Sequence, residues 1–202
     1  MNTGLPEDSR LQDRRVRRTR SALLSAAVRL VTEQETTDVA VTELAEAADV
    51  SRRVLYQHFG DRDALLVAAA AELVQRELLP QLPQDLEARA TTLVLARHFA
   101  EHHQFYRVLL TGSCAYAATR TICGLFRPHN AASARLLFGE LDDQEADEIA
   151  EFLTGGMAMA LAEWLIGGAP PLDPDEFTGR LLRIRSVLIG GHRGQAGPQK
   201  GT

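Results

Sequence analysis

The distribution of hydrophobic and polar positions along the chain predicts helices and no strand. Apolar residues recur at intervals of three and four, the spacing that places them on one face of an α-helix. In the first such segment, predicted to extend to about residue 34, the apolar stripe consists of Leu23, Ala27, Leu30 and Val31. Glycine and proline pairs, as in 167–171, separate later helical segments. The pattern therefore indicates an all-α protein.

Two short helical segments separated by a tight turn, followed directly by a third, occupy residues 41–66. Thr42 and Ser51 are predicted to cap the first two segments, because a hydroxyl can accept a hydrogen bond from a free backbone N–H. Asp49 suits the turn, since aspartate tolerates left-handed backbone angles. The second segment bears Arg52, Arg53, Tyr56 and Gln57 on one face and Val54, Leu55, His58 and Phe59 on the other. This arrangement is typical of a helix-turn-helix whose second helix, 51–59, reads DNA bases.

Four blocks of sequence in this region resemble the tetracycline-repressor (TetR) family of transcriptional regulators, in order and at the family's spacing. They are R-x-x-L-L-x-A-A-x-R-L at 20–30, V-T-E-L-A-E-A-A at 41–48, V-S-x-x-x-L-Y-x-H-F at 50–59 and D-R-D-A-L-L at 61–66. Asp49 stands where the family usually has glycine, and Arg53-Val54 replaces a frequent pair of small residues. An operator sequence therefore cannot be carried over from a relative.

The resemblance implies an amino-terminal three-helix DNA-binding domain at 12–62 and a carboxy-terminal helical domain for ligand binding and dimerisation at 63–190. Residues 1–11 and 191–202 are expected to be disordered tails. Base contacts are assigned to Arg52, Arg53 and Gln57. Phosphate contacts are assigned to Thr42, Ser51, Tyr56, His58, Arg62, Arg17 and Arg18. A packing role for His58 remains an equal alternative, because it lies in the apolar face.

The net charge of −5 is unusual for a DNA-binding protein, but the charge is segregated along the chain. The basic residues that precede the helix-turn-helix are Arg10, Arg14, Arg15, Arg17, Arg18 and Arg20, opposed there only by Asp13. Residues 140–151 contain seven acidic residues and no basic one. Only the amino end therefore has the charge expected to contact phosphates. An arginine-rich stretch is otherwise most often solvated surface.

A long helix is predicted to begin at a cap formed by Asp61 and to end at Pro80. Further helices are predicted at 86–103, 105–110, 114–126 and 130–138, from Asp142 or Asp143 to about 166, and from Asp173 or Pro174 onward. Glycines inside a helix cost about 1 kcal/mol each, so Gly155-Gly156 favours close approach of another helix. The resemblance implies a homodimer interface at Gly155, Gly156, Ala158, Leu161, Leu181, Leu182, Ile184 and Leu188.

The resemblance also implies a cavity for a small apolar or amphipathic effector in the carboxy-terminal helices. Its candidate lining residues are His98, Phe99, Tyr106, Tyr116, Arg120, Cys123, Phe126, Met157 and Trp164. Taken singly, each of the aromatic residues is more often simply part of a helical core. The sequence does not decide which of them line a cavity.

His98 and His102 lie four residues apart, beside Glu101 and His103, a spacing that could hold a metal ion. A polar helix end with hydrogen-bonded histidines is the preferred interpretation, because no Cys or Asp obviously completes the set. The sequence contains no recognisable catalytic arrangement or nucleotide fingerprint, so neither an enzyme nor a cofactor is predicted. No run approaches the ~18 uninterrupted apolar residues of a membrane span, and the first residues lack a signal-peptide profile. A cytoplasmic protein without a membrane partner is expected.

The sequence thus predicts a homodimeric transcriptional regulator, in most respects typical of a repressor. Its partners would be a palindromic double-stranded DNA operator and a small-molecule effector that releases it. One alternative is a DNA-binding factor of the same fold without a ligand, acting as an activator or architectural protein. A second is a helical enzyme whose amino-terminal motif is coincidental. Stabilisation by small molecules would separate the repressor from the ligand-free factor, and turnover without DNA binding would support the enzyme.

Overall fold

The computed structural model describes residues 7–83 and 87–195, and all regular structure within these ranges is helical. The α-helices are α1 (Glu7–Gln34), α2 (Val41–Ala47), α3 (Arg52–Phe59), α4 (Arg62–Leu73), α5 (Ala88–Glu101), α6 (His103–Thr111), α7 (Ala115–Phe138), α8 (Asp143–Gly167) and α9 (Pro174–Gln195). A π-helical segment, Val74–Leu78, and a 3-10 helix, Leu79–Gln81, lie between α4 and α5. The predicted all-α class is confirmed.

Two predictions about helix boundaries are wrong. The helices expected at 114–126 and 130–138 form the single helix α7, which contains Pro128. A proline removes one helical hydrogen bond and its ring crowds the carbonyl four residues earlier, but the 24 residues of α7 provide many other hydrogen bonds. The helix expected from Asp61 to Pro80 is divided, because π-helical and 3-10 turns follow α4. Its start is as predicted, since Asp61 Oδ1 accepts a hydrogen bond from Ala64 N at 2.7 Å.

The expected disordered tails are partly helical. Helix α1 begins at Glu7 and α9 continues to Gln195, so the prediction is wrong for 7–11 and 191–195. Residues 1–6 and 196–202 of those tails lie outside the described residues, as do 84–86 of the predicted turn after Pro80.

The chain divides into two compact units. The amino-terminal unit comprises residues 1–73 and 104–118, and the carboxy-terminal unit comprises 74–103 and 119–202. The units do not coincide with the division predicted at 62/63, because α4 and most of α6 belong with the helix-turn-helix. The functional roles assigned to the two predicted domains remain predictions.

The core of the amino-terminal unit is built on the apolar stripe of α1. Leu23, Ala27 and Val31 are fully buried, and α1 packs against both α2 and α4. Leu44 of α2 and Leu65 of α4 are also fully buried. Each such leucine contributes roughly 1.5–3 kcal/mol on removal from water. This core fixes α2 and α4, the helices on either side of α3.

Segment 104–118 is attached to the same unit by close contacts. A Cβ placed on Gly112 would lie 2.3 Å from Thr37 Oγ1, so the backbone can approach Thr37 only because residue 112 lacks a side chain. Ser113 Oγ donates a hydrogen bond to Asp63 Oδ2 at 2.7 Å. Both contacts join this segment to residues close to the helix-turn-helix.

The carboxy-terminal unit contains α5 packed on α9 and the long helix α8. The Trp164 ring of α8 stacks on Phe177 of α9 with centroids 4.3 Å apart. Arg89 of α5 and Asp175 of α9 form an ion pair at 3.1 Å. Aromatic stacking therefore joins α8 to α9, while helix packing and an ion pair join α9 to α5.

Helix α8 is strongly apolar, yet most of its apolar surface is not buried within the chain. By length and composition it is the one helix in the described ranges that could cross a membrane, with a mean hydropathy of 1.4 over its most apolar window. Only 17% of that window is buried within the chain. Exposed apolar surface of this kind is typical of a helix that contacts another protein surface or lipid, and length and composition do not distinguish the two.

Asp142, one of the two predicted residues, is the N-cap of α8. Its carboxylate accepts a hydrogen bond from Glu145 N at 2.8 Å, and the Glu145 carboxylate accepts one from Asp142 N at 3.1 Å. The pair is a capping box, which satisfies two backbone donors that would otherwise have no helical partner.

Asp142→Ala is expected to lower the free energy of unfolding by about 1 kcal/mol, because it removes this capping acceptor. The chain has 1 tryptophan, Trp164 of α8, so its fluorescence during a denaturant titration reports the unfolding of this unit. Asp143→Ala is the matched control: the Asp143 carboxylate is exposed and pairs with Arg135 at the surface, so its loss should change stability less. Equal losses in the two variants would contradict the capping role.

Candidate nucleic-acid interface and ligand cavity

Helix α3 has one buried and one exposed face, as the sequence predicts. Ser51 is its N-cap, with the side chain accepting a hydrogen bond from Val54 N at 3.4 Å. Leu55 is fully buried, whereas Arg52, Arg53 and Gln57 are exposed. The three side chains assigned to base contacts therefore lie together on the accessible face of one short helix.

The turn before α3 depends on a left-handed residue. Asp49 has φ 54°, and Val50 N donates a hydrogen bond to Ala45 O at 2.9 Å. Aspartate thus occupies the conformation for which the related family usually has glycine. The predicted cap at Thr42 is wrong: α2 begins at Val41, its N-cap is Ala40, and no side chain caps it. Thr42 lies exposed in the first turn of α2.

The apolar end of α3 is held by α1. The guanidinium carbon of Arg20 lies 4.7 Å from the centroid of the Phe59 ring, a cation–π contact. His58 is half-buried, with its ring centroid 6.1 Å from that of Phe59. This position favours the packing role for His58. The position of Arg20 in the sequence gives its charge and its place in the 20–30 block, but not its contact with Phe59.

Arg62 is placed differently from the other predicted phosphate contacts. It forms ion pairs with Asp38 and, at 3.1 Å, with Asp63. Partial burial by itself would lower the pKa of Arg62, but the hydrogen bonds to the two carboxylates outweigh it and raise the pKa. A phosphate would have to compete with these acids for the guanidinium, whereas Tyr56 and Ser51 are exposed.

The arginines before the helix-turn-helix lie on α1 rather than on a tail. Arg14, Arg15, Arg17 and Arg18 are exposed along its first half, and Arg17 Nε donates to Asp13 O at 3.4 Å. A helix presents these charges at fixed spacing, which a disordered arm would not.

The carboxy-terminal unit contains an apolar cavity of about 90 Å³. Four of the nine predicted pocket residues line it, namely Phe99, Cys123, Phe126 and Met157. Burial raises the pKa of the Cys123 thiol, so this side chain acts there as a small apolar group.

Two residues that line this cavity, Thr91 and His129, were not foreseen from the sequence. Thr91 Oγ1 and His129 Nδ1 are buried and have no hydrogen-bond partner among the described residues. Buried polar atoms usually find a partner, so these two mark positions where a bound molecule or water can satisfy them. Nothing in the sequence around Pro128-His129 indicates that the histidine lines a cavity.

The other five predicted pocket residues do not line this cavity. Tyr116 is 74% exposed, and Arg120 is also exposed. Tyr106 is fully buried in the core of the amino-terminal unit. Trp164 stacks on Phe177 instead, and His98 is buried beside Phe99 with the ring centroids 5.3 Å apart.

His98 belongs to a separate polar cluster with His102 and Glu77. Their ligand atoms lie within 4.8 Å of one another. Burial lowers the pKa of His98 to about 4, and the nearby His102 adds to the shift. The pKa of Glu77 is also lowered, chiefly by its hydrogen bond from Arg76. The spacing of the two histidines is visible in the sequence, whereas Glu77 lies far from them along the chain and gives no such signal.

A second, larger opening of about 370 Å³ lies between α7, α8 and α9 of the same unit. Five of the predicted interface residues line it: Gly156, Leu181, Leu182, Ile184 and Leu188. Leu161 is buried, and Ala158 is half-buried and lines the smaller cavity. The exposed large apolar side chains of α8 and α9 include Phe152, Met159, Ile184, Val187 and Leu188.

Residues 23–69 match the family described as bacterial regulatory proteins, tetR family. The HTH-type transcriptional regulator BetI of Brucella anthropi is 36% identical over 69 residues, which are 34% of this chain and 33% of that protein. The matched region thus spans about a third of the length of this curated relative.

Solved structures of similar proteins extend the likeness to most of the chain. The fatty acid degradation regulator FadR from Bacillus halodurans has a TM-score of 0.56 at 17% identity, covering 86% of this chain and 96% of its own. RolR, solved in complex with resorcinol, has a TM-score of 0.56 at 21% identity, covering 94% and 98%. At these identities the likeness establishes the fold, and the match to the family is confined to residues 23–69. The amino-terminal region, 23–69, thus matches the tetR family of bacterial regulatory proteins, and the fold of most of the chain is that of the two solved regulators.

Proposed function

We propose that this chain is a ligand-responsive repressor that binds a palindromic operator as a homodimer in the cytoplasm. Regulators of this family are transcription factors rather than enzymes. The observation that carries the proposal is α3, which has Leu55 fully buried and Arg52, Arg53 and Gln57 exposed together on its other face. A helix anchored in this way can lie in the major groove, where arginine makes paired hydrogen bonds to guanine.

Phosphate contacts would surround this helix. Ser51 and Thr42 lie at the starts of α3 and α2, where hydroxyls and free backbone N–H groups suit an anion. Tyr56 adds a hydroxyl, and Arg17 and Arg18 add charge from α1. We assign Arg62 to positioning the loop at Asp38 rather than to DNA, because its guanidinium is already paired.

The effector would occupy the cavity lined by Phe99, Cys123, Phe126 and Met157. Mostly apolar walls with few polar groups are typical of small-molecule sites. Thr91 Oγ1 and His129 Nδ1 would bind one or two polar atoms of the ligand. The small volume favours a compact amphipathic molecule, and RolR, which has the same fold, was solved with resorcinol.

The response to the effector would pass through the covalent connections between the units. The chain crosses from one unit to the other after Leu73, after His103 and after Ala118. The second crossing lies at the first residue of α6 and the third lies within α7, so helices continue from one unit into the other. A ligand that favours a dimer with its two α3 helices at the wrong separation would weaken operator binding, with a coupling of typically ~1–3 kcal/mol.

A DNA-binding factor without a ligand is the main alternative. The mostly apolar cavity in the carboxy-terminal unit favours the ligand-responsive protein instead, because such walls are typical of small-molecule sites. A thermal-shift screen of small amphipathic molecules separates the two, because only a ligand-responsive protein is stabilised by mass action.

The dimer is supported by the uncovered apolar surface of α8 and α9. Phe152 is 78% exposed and Val187 is 74% exposed, on helices that belong to the same unit. Apolar side chains this exposed over two helices mark an interaction surface. A second copy is the occupant that a palindromic operator requires, since two-fold symmetry of the protein matches that of the DNA. The interface residues that we retain are Gly155, Gly156, Leu181, Leu182, Ile184 and Leu188, to which Phe152, Met159 and Val187 are added.

Arg52→Ala and Arg53→Ala are each expected to weaken operator binding by about 1–3 kcal/mol and to relax preference at particular base pairs. Selection from a randomised DNA pool measures both effects. Arg97→Ala, an exposed arginine of the carboxy-terminal unit, is the matched control and should leave affinity and base preference unchanged. Parental base preferences in both α3 variants would rule out α3 as the reading helix.

The double variant Arg17→Gln, Arg18→Gln is expected to lower affinity for all DNA sequences about equally. It should also reduce the slope of log affinity against log salt by ~0.9 for each phosphate that is no longer neutralised by an arginine. The control is Arg97→Gln, Arg127→Gln, which changes the net charge equally but removes exposed arginines of the other unit. If the two pairs change the slope alike, the α1 arginines act only through net charge.

Phe152→Glu and Val187→Glu are each expected to convert the dimer to monomers with parental helix content, because each puts a charge into the buried centre of the interface. Light scattering at micromolar concentration measures the mass, and circular dichroism measures the helix content. Tyr116→Glu, which changes an equally exposed side chain of the amino-terminal unit, should stay dimeric. A monomeric parent protein would remove both the interface and the palindromic operator.

A further inference from the structure

Three side chains with metal-binding atoms meet in the carboxy-terminal unit, apart from the effector cavity. They are Glu77 of the π-helical segment and His98 and His102 at the end of α5. The donor atoms all lie within 4.8 Å of one another, and His102 Nε2 is 2.8 Å from Glu77 Oε2. The two imidazole rings have centroids 4.9 Å apart. Nothing in the DNA-binding or effector-binding roles uses these three residues.

Local structure explains why the three side chains converge. A spacing of four residues places His98 and His102 one above the other on the same face of α5. Glu77 is carried by Val74–Leu78, where the helix widens to a π-turn after Leu73. Such a widening redirects the following side chains relative to a regular α-helix, and π-turns are frequent at functional sites. The sequence spacing alone supplies only the two histidines.

The donor set has a definite chemical preference. Two imidazole nitrogens with one carboxylate oxygen suit Zn²⁺ and other late first-row divalent ions, which bind nitrogen well. Mg²⁺ and Ca²⁺ prefer oxygen ligands throughout. A pair of histidines four residues apart on a helix is a recurrent way to hold zinc. Three protein ligands would leave at least one coordination position for water or another molecule.

The surroundings orient the carboxylate and leave a route to solvent. Arg76 Nη2 donates to Glu77 Oε1 at 2.7 Å, so the other oxygen, Oε2, is the one that faces His102. Neighbours that hold a ligand in place in this way are typical of metal sites. The side chains of Glu77 and His102 are 33% and 21% exposed, whereas His98 is buried. An ion can therefore enter past the first two residues and be held against the third.

We propose that Glu77, His98 and His102 bind one divalent transition-metal ion, with Zn²⁺ as the representative of the class. The bound ion ties the first turn of the carboxy-terminal unit to the end of α5. Since Glu77 lies four residues after Leu73, where the chain leaves the amino-terminal unit, the site also restrains the start of one connection between the units. This proposal does not depend on the effector or on DNA binding.

The alternative is a hydrogen-bonded cluster in which the Glu77–His102 contact serves only the fold. The two interpretations differ in what a free ion does. A structural cluster is not stabilised by Zn²⁺, whereas a metal site takes up one ion per chain and is stabilised by it.

The test uses the full chain without a histidine tag, titrated with Zn²⁺ by calorimetry. One ion per chain with a micromolar or tighter Kd is expected. Glu77→Gln and His102→Gln should each weaken binding by at least ~10-fold, the lower end of what losing even a supporting neighbour costs. Glu101→Gln, which changes an exposed carboxylate on the same helix, is the matched control and should bind as the parent does.

Co²⁺ provides a second readout on the unaltered protein. A nitrogen and oxygen ligand set gives visible absorption without the thiolate charge-transfer band that Cys114 or Cys123 would add. Circular dichroism and thermal midpoints establish that each variant is folded, and His98 is left unchanged because it is buried. Absence of one-to-one binding by the parent, a thiolate band, or parental affinity in folded Glu77→Gln and His102→Gln would each overturn the proposal.

Discussion

A helix of eight residues has no stability of its own in water, so α3 exists only because its neighbours hold it. Leu55 is fully buried, and α3 packs against α2 and α4, which are themselves fixed by the apolar stripe of α1. Arg20 of α1 closes the far end by lying over Phe59. Because the opposite face of α3 is buried, its exposed polar face is held in a fixed orientation. A helix of only eight residues can therefore present side chains to DNA.

Positive and negative charge are concentrated in different units of the chain. The overall charge of −5 would repel DNA, yet the arginines of α1 are exposed in the unit that carries α3. The acidic residues concentrate at the start of α8, in the other unit, where Asp142 and Glu145 serve the helix itself as a capping box. Screening limits surface charges to about 8–10 Å at physiological salt, so local charge decides what approaches α3.

The carboxy-terminal unit contains a small internal cavity and a large exposed apolar surface. Its cavity is about 90 Å³, whereas α8 leaves most of its apolar window unburied. The single chain leaves that surface exposed, and the proposed dimer would cover it in water without a membrane. The apolar composition that makes α8 resemble a membrane helix by length and hydropathy would then be the composition of an interface.

The local elements of this protein could be predicted from the amino-acid sequence because they depend on residues a few positions apart. The periodicity of α1, the cap at Ser51, the left-handed turn at Asp49 and the division of α3 into two faces are all of this kind. Helix ends were harder to predict. Thr42 has a hydroxyl that could cap a helix, but it lies inside the first turn of α2. Pro128 was expected near a break, but it lies inside α7.

Which distant side chains meet could be known only from the folded chain. Packing buried Tyr106 and Leu161, stacked Trp164 on Phe177 and left Tyr116 in solvent, although all had the composition of a pocket or an interface. It also brought Thr91 and His129 into the cavity and Glu77 to the histidines of α5. Spacing along a helix fixes which face a residue occupies, but what that face meets depends on helices far away in the chain.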